Sequence, residues 1–135
     1  MTALNEQTLA QLDSAVSRPR YDRRQVTTGI VHISVGNFHR SHQAMYIDTL
    51  MNDGAAMDWG ICGLGLQPSN ARMRDVMAAQ DGLYTLVIRH GDGTWDARVI
   101  GSITEYLFVP DDPEAAIEKM AAPATRIVSL TITEG

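Results

Sequence analysis

Glycine, histidine and arginine gather in one run, Gly29-Ile30-Val31-His32-Ile33-Ser34-Val35-Gly36-Asn37-Phe38-His39-Arg40-Ser41-His42-Gln43. Apolar residues come first, then a glycine-bearing turn, then residues that open a helix. A strand, turn and helix in that order present free backbone N–H groups and the positive end of a helix dipole, which suits an anion. In an α/β protein that anion is commonly a dinucleotide pyrophosphate. The full fingerprint of such a loop is Gly-x-Gly-x-x-Gly. Its three slots hold Ser34, Gly36 and His39. Gly36 allows backbone to approach phosphate. Ser34 must turn with a side chain present and some strain, and His39 is expected to keep the helix further from the strand than glycine would. Two readings stand on these residues alone, a cofactor loop and an ordinary strand-to-helix turn. Arg40 has two roles open to it: holding a pyrophosphate, or pairing with an acid on a neighbouring element.

A second cofactor element belongs at the end of the second strand, where an acid reads the adenosine ribose 2′-OH and repels a 2′-phosphate. That region reads Gly63-Leu64-Gly65-Leu66-Gln67-Pro68-Ser69-Asn70-Ala71-Arg72, with no acid before Asp75. Asn70 can bond the ribose without repelling phosphate, and Arg72 or Arg74 can pair with one. Ser69 and Asn70 equally suit a helix cap, and one residue can serve both ends. His32, His39 and His42 invite a metal reading, but only proximity supports it, and no metal site is expected. His32 reads as a hydrogen-bonded sheet residue. Cys62 lies mid-strand, where a buried, inert thiol is expected.

The elements around these residues follow from periodicity. Leu9, Leu12 and Val16 predict a short helix over residues 5–16. Arg18 to Arg24 reads as an extended, charged and solvated arm. Ile30 to Val35 is a buried strand and Ser41 to Met51 a helix ended by Asp53-Gly54. Trp59 to Leu66 is a second buried strand. Asn70 to Gln80 is helical, and Asp81-Gly82 breaks it. Leu83–Arg89 and Trp95–Val109 flank the turn His90-Gly91-Asp92-Gly93-Thr94, which predicts an antiparallel hairpin. Asp111-Asp112-Pro113 caps a helix through Met120, and Ile127 to Thr133 is a last strand. The sum is an α/β fold with a mostly parallel, Rossmann-like sheet, an antiparallel hairpin insertion, and right-handed crossovers.

Composition narrows the function classes. The chain has 135 residues, 44% hydrophobic and 20% charged, which is ordinary for a globular domain. Sixteen acids against 11 bases give a net charge of −5, which argues against a nucleic-acid partner or a basic membrane-binding face. One cysteine fits a reducing compartment. The N-terminal residues lack the basic start and apolar run of a signal peptide, and no stretch approaches the roughly 20 apolar residues of a membrane span. A cytoplasmic location is expected.

Several segments in order resemble the mannitol dehydrogenase family of polyol-specific long-chain dehydrogenases. They are Gly29-Ile30-Val31-His32-Ile33, Val35-Gly36-Asn37-Phe38-His39-Arg40 and His42-Gln43-Ala44. Asp58-Trp59-Gly60-Ile61-Cys62-Gly63, Gln80 to Leu86 and Ile127 to Gly135 follow. The resemblance runs from about Gln25 to the last residue. It implies hydride transfer between NAD or NADP and a secondary alcohol of a sugar alcohol or sugar acid, without metal, on a nucleotide-binding domain followed by a helical substrate domain. Fructuronate and tagaturonate reductases are relatives with the same implied chemistry. A stand-alone nucleotide-binding module without catalysis is the rival reading. By the resemblance Val35, Gly36, Asn37, Phe38, His39 and Arg40 surround the pyrophosphate. Ser69, Asn70 and Arg72 meet the adenosine ribose, and Thr133 faces the nicotinamide side. The family's general base is a lysine in its C-terminal half. Lys119, the only lysine here, is not assigned that role, so no catalytic residue is expected in this chain. Ser34 replaces the usual first glycine, and Ser69-Asn70 stand where mannitol dehydrogenases carry an acidic pair, which leaves NAD against NADP open. Family enzymes are considerably longer. The expectation is therefore residues 1–24 as N-terminal helix and arm and residues 25–135 as a partial NAD(P)-binding Rossmann domain. Its incomplete sheet favours self-association.

Overall fold

The computed structural model describes residues 3–134. Four strands, β2 (Thr28–Ile33), β3 (Gly60–Gly65), β6 (Ile103–Phe108) and β7 (Ile127–Leu130), form one parallel sheet in the order β6-β3-β2-β7. The chain lays down β2, β3 and β6 in one direction and then returns to place β7 on the far side of β2. The point where strand order reverses therefore lies between β2 and β7, the position where doubly wound sheets open a crevice.

The strands are continuous apolar runs because both faces of the sheet are covered. Alternation sends Ile30, Ile61 and Ile103 to one face, with Ala44 of α2 (Gln43–Asn52) and Met77 of α3 (Ala71–Ala79). Val31, Cys62 and Leu64 go to the other, under Ala116 of α4 (Pro113–Ala121). Each fully buried Ile or Leu contributes on the order of 1.5–3 kcal/mol. α4 begins as expected, with Pro113 in its first turn and Asp112 accepting a hydrogen bond from the Ala115 N–H at 3.1 Å.

A second sheet, in the order β1 (Val16–Ser17), β5 (Trp95–Ile100), β4 (Tyr84–Arg89), holds the hairpin of β4 and β5, closed by the expected turn. The long run Trp95 to Val109 is not one hairpin arm. It breaks at Gly101-Ser102, and β6 crosses to the parallel sheet. The break is fixed by the Gly101 N–H donating to Asp48 Oδ1 at 2.9 Å and by Ser102 Oγ donating to the Ala44 carbonyl at 2.6 Å.

The N-terminal segment corrects two expectations. Residues 5–16 form no α-helix; they make a 3-10 turn at Leu9–Gln11 and then β1 (Val16–Ser17), parallel to β5. Asn5 Oδ1 accepts from the Gln7 and Thr8 N–H groups and Asp13 Oδ1 from the Ala15 N–H, local bonds that compete with a helix. Nor is the arginine arm simply solvated. The Arg23 side chain is only 9% exposed, pairs with Glu6, and donates to the carbonyls of Asp81, Gly101 and Ile103.

Two smaller differences bear on the site. Helix begins at Asn37, before Ser41, as α1 (Asn37–Ser41), and a break at His42 separates it from α2. β7 ends at Leu130, so Thr133 lies beyond the strand and exposed. Among the described residues β7 bonds only to β2, and its Ile127, Val128 and Leu130 are exposed. Among the described residues no helix is long and apolar enough to cross a membrane.

Candidate functional site

The turn after β2 is held by the Ser34 N–H donating to the Leu64 carbonyl at 2.9 Å. Ser34 sits at φ +67°, the left-handed region that glycine enters freely and serine enters with strain. Gly36 precedes α1 in extended backbone that any residue adopts, and a Cβ there would find nothing nearer than the Ser34 carbonyl oxygen at 4.0 Å. Neither torsion nor packing inside the chain requires glycine at this position. The open side faces the carboxyl end of β2, where the first N–H groups of α1 have no intrahelical acceptor. That open side is a cradle of backbone N–H groups of the kind that suits an anion, and a side chain at position 36 would fill it.

Arg40 lies in α1, one turn beyond Gly36. Its guanidinium donates to Asn37 Oδ1 and the Gly36 carbonyl and lies 5.8 Å from the Tyr84 ring centroid, and it pairs with no acid among the described residues. A positive charge without a counter-ion therefore stands on the glycine loop. Asn37 is spent orienting Arg40. Val35 is buried, its side chain packed over Gly63, so only its backbone belongs to the loop. Phe38 is 63% exposed and stacks on His42 at 4.1 Å.

His39 seats α1 on β2 through its side chain. Its ring is buried and lies flat on the His32 ring, centroids 3.6 Å apart and planes 10° from parallel. His32 Nδ1 is 2.8 Å from Ser129 Oγ and its Nε2 is 3.3 Å from Thr131 Oγ1. His39 donates from Nε2 to the Gln43 side-chain carbonyl at 2.8 Å, and its buried Nδ1 has no partner among the described residues. Burial lowers the His32 pKa to about 4, and the facing His39 pushes the same way. Burial also lowers His39, helped by Arg40 and opposed by the Gln43 bond. Both imidazoles are neutral at physiological pH. Stacked rings do not converge on one metal ion, and the described residues contain no cluster of three or more potential ligands.

His32, Phe38, His39, Gln43, Ser129 and Thr131 line a concavity of about 300 Å³ between the carboxyl ends of β2 and β7. Gln43, Ser129 and Thr131 were not singled out from the sequence. The period-two alternation of β7, which puts Ser129 and Thr131 on one face, is the signal that would have found them.

At the end of β3, Asn70 closes the turn by accepting the Gln67 N–H at 3.0 Å, and its Cβ covers Gly65. Asn70 thus caps a turn before α3 and stands at the strand's carboxyl end. Ser69 is exposed. Of the two arginines, Arg74 is occupied by Asp75, Asp111 and the Phe108 ring. Arg72 is exposed and without an ion pair among the described residues. Lys119 pairs with Glu105 on the α4 side of the sheet. Cys62 is buried, and burial pushes its thiol up to about 12, which makes it inert.

Comparison with known proteins bears on this geometry. The family model described as the mannitol dehydrogenase Rossmann domain matches residues 28–135. A mannitol 2-dehydrogenase of Pyrenophora tritici-repentis is 56% identical over 97% of this chain and 23% of its own length. Mannitol dehydrogenase 2 of Saccharomyces cerevisiae is 53% identical over 98% of this chain and 26% of its own length. Among solved structures, the Pseudomonas fluorescens mannitol 2-dehydrogenase ternary complex with NAD and D-mannitol superposes with a TM-score of 0.93 at 49% identity. It covers 98% of this chain and 27% of that one. A D-sorbitol dehydrogenase in substrate-free form gives a TM-score of 0.89 at 40% identity, covering 98% of this chain and 28% of its own. The chain spans about a quarter of the length of these relatives.

Proposed function

The chain belongs to the mannitol dehydrogenase family, and on that premise we propose that it grips the ADP part of NAD or NADP for hydride exchange with a secondary alcohol of a sugar alcohol. The bound nicotinamide supplies the hydride acceptor or donor. The residues of this chain bind and orient. Gly36 leaves room for the pyrophosphate, the first N–H groups of α1 donate to it, and Arg40 adds charge, with Val35, Asn37, Phe38 and His39 shaping the loop. Asn70 and Ser69 meet the adenosine ribose, Arg72 favours a 2′-phosphate, and Thr133 lies toward the nicotinamide. Residues 25–135 form the cofactor domain and residues 1–24 an arm docked on it. None of the 135 residues is assigned the proton transfer.

The observation that carries this reading is Gly36, a glycine that nothing inside the chain requires, at the mouth of β2 beside an uncompensated Arg40. Mannitol and fructose are favoured as the substrate pair over hexuronates, because the mannitol dehydrogenases reported above are 49–56% identical to this chain over the aligned residues. The protein works in the cytoplasm, and two copies associate through the open edge of β7.

Titration with NADH and NADPH, followed by nicotinamide fluorescence, tests the grip. Saturable binding is expected, and Gly36→Val should weaken it at least tenfold. Absence of binding by the folded protein overturns the reading. No mannitol oxidation is expected from residues 1–135 alone, and turnover would show that the proton-transfer group lies in this chain.

A further inference from the structure

The His32–His39 stack joins three elements at the point where the sheet order reverses. His32 is on β2, His39 on α1, and the Ser129 and Thr131 hydroxyls that bond His32 belong to β7 and its extension. The helix that presents N–H groups to the cradle is five residues long and breaks at His42, too short to fix its own direction. Something outside the backbone must set its height and tilt, and the ring of His39 is the one buried side chain α1 contributes.

Two local penalties fall on this turn. Ser34 holds a left-handed backbone with a side chain, and His39 Nδ1 is a buried acceptor with no donor. An orphaned buried acceptor costs about 1–3 kcal/mol. Such penalties persist where the surrounding structure over-determines a conformation, and they cluster at binding sites. An alanine at position 39 would remove the orphan, leave the backbone hydrogen bonds of the turn in place, and empty the buried seat of the ring on His32.

Resting on the nucleotide reading above, we propose that His39 is a positioning residue for the dinucleotide: its ring, seated flat on His32 and steered by Gln43, sets the α1 N–H groups over the crevice. His39 touches no phosphate in this scheme. It acts through the backbone of Asn37 and Phe38, which its own seat on β2 holds in place. The ring's shape does most of this, and the Gln43 bond fixes its rotation. The groups facing the pair are Arg40 on the helix side and the Ser129 and Thr131 hydroxyls on the β7 side. No carboxylate is among its hydrogen-bond or ion-pair partners, so nothing there rewards a protonated imidazole.

The test compares four proteins at a temperature where circular dichroism shows each one folded. They are wild type, His39→Ala, His39→Phe and Val31→Ala, a cavity variant on the opposite face of the sheet. NADH affinity is expected to fall at least tenfold in His39→Ala and to recover to within about threefold in His39→Phe, which restores the flat ring. Val31→Ala should lose stability yet bind within twofold of wild type. Amide hydrogen exchange of Arg40 and His42, whose N–H groups bond the Gly36 and His39 carbonyls, read without nucleotide, should speed up in His39→Ala and not in His39→Phe or Val31→Ala. Wild-type affinity in His39→Ala, or an equal loss in Val31→Ala, overturns the proposal. If wild type binds no NADH, the nucleotide reading fails by itself. Unchanged exchange of the α1 amides in His39→Ala overturns the positioning role whatever the nucleotide result.

Discussion

Tyr21 donates its hydroxyl to the fully buried carboxylate of Asp48, joining the N-terminal arm to the middle of α2. Asp48 also accepts from Arg98 of β5, from the Gly101 N–H and from Asn52. Burial, then this bond, raises the Tyr21 phenol well above its ordinary range. One carboxylate therefore gathers the arm, the second helix, the hairpin and the crossing into β6. Asp48→Ala leaves Arg98 partly buried and unpaired and should cost about 3–5 kcal/mol. Tyr21→Phe removes one charge-assisted bond and should cost about 1.5–3 kcal/mol. Urea denaturation of both variants measures the difference, and equal, small losses would show that the network carries little.

Gly82 and Gly93 both sit at positive φ, but only one is crowded. A Cβ on Gly82 would collide with the Ile103 carbonyl, whereas Gly93 in the hairpin turn has nothing within 4 Å. Gly93→Ala should cost about 1 kcal/mol, from backbone strain alone. Gly82→Ala should cost at least twice that, because the end of α3 must shift off β6. Thermal unfolding of the pair reads the comparison, and similar melting temperatures would contradict it.

Stability should fall in acid through the stacked histidines. His32 has a folded pKa of about 4 against an ordinary 6.5, so between those values the unfolded chain binds more protons. The contribution is fully present above pH 6.5 and is lost as pH drops toward 4. At pH 5 the loss from His32 is about 2 kcal/mol, and His39 adds to it in the same direction. Denaturation of wild type and His32→Gln at pH 7 and pH 5 isolates this share. A stability gap between the two proteins that stays constant with pH would rule it out.

Nucleotide preference should turn on the end of β3. Asn70→Asp preserves an oxygen for the Gln67 N–H while adding the charge that repels a 2′-phosphate. NADPH affinity should drop tenfold or more and NADH affinity change little, as read by fluorescence titration. Loss of both in parallel would place Asn70 in the turn and not at the ribose.

The outer side of β7 should drive association. Its exposed Ile127, Val128 and Leu130 border an unpaired strand edge. Sedimentation velocity should find dimers or larger species in wild type and a monomer in Val128→Lys/Leu130→Lys. A wild-type monomer at high concentration would refute the edge as an interface.

The sequence by itself determined the alternation of strands and helices, the hairpin turn, the Asp112-Pro113 cap and the glycine loop. Each rests on interactions a few residues apart: period-two or period-3.6 burial, turn chemistry, a cap bond. The order of motifs also identified the family. Tertiary structure decided the rest, because the deciding contacts span long separations. Residues 5–16 lost their helix to local side-chain bonds and to pairing with β5, 81 residues on in the Val16–Ala97 register. Arg23 became a buried brace by reaching three carbonyls on two distant segments, Asp81 and the Gly101–Ile103 crossing. The Trp95–Val109 run split where Asp48 and Ala44 capture Gly101 and Ser102. His39 looked like a poor glycine substitute until His32 supplied a flat surface beneath it, and no pattern within a single segment encodes a stack between a strand and the helix that follows its turn.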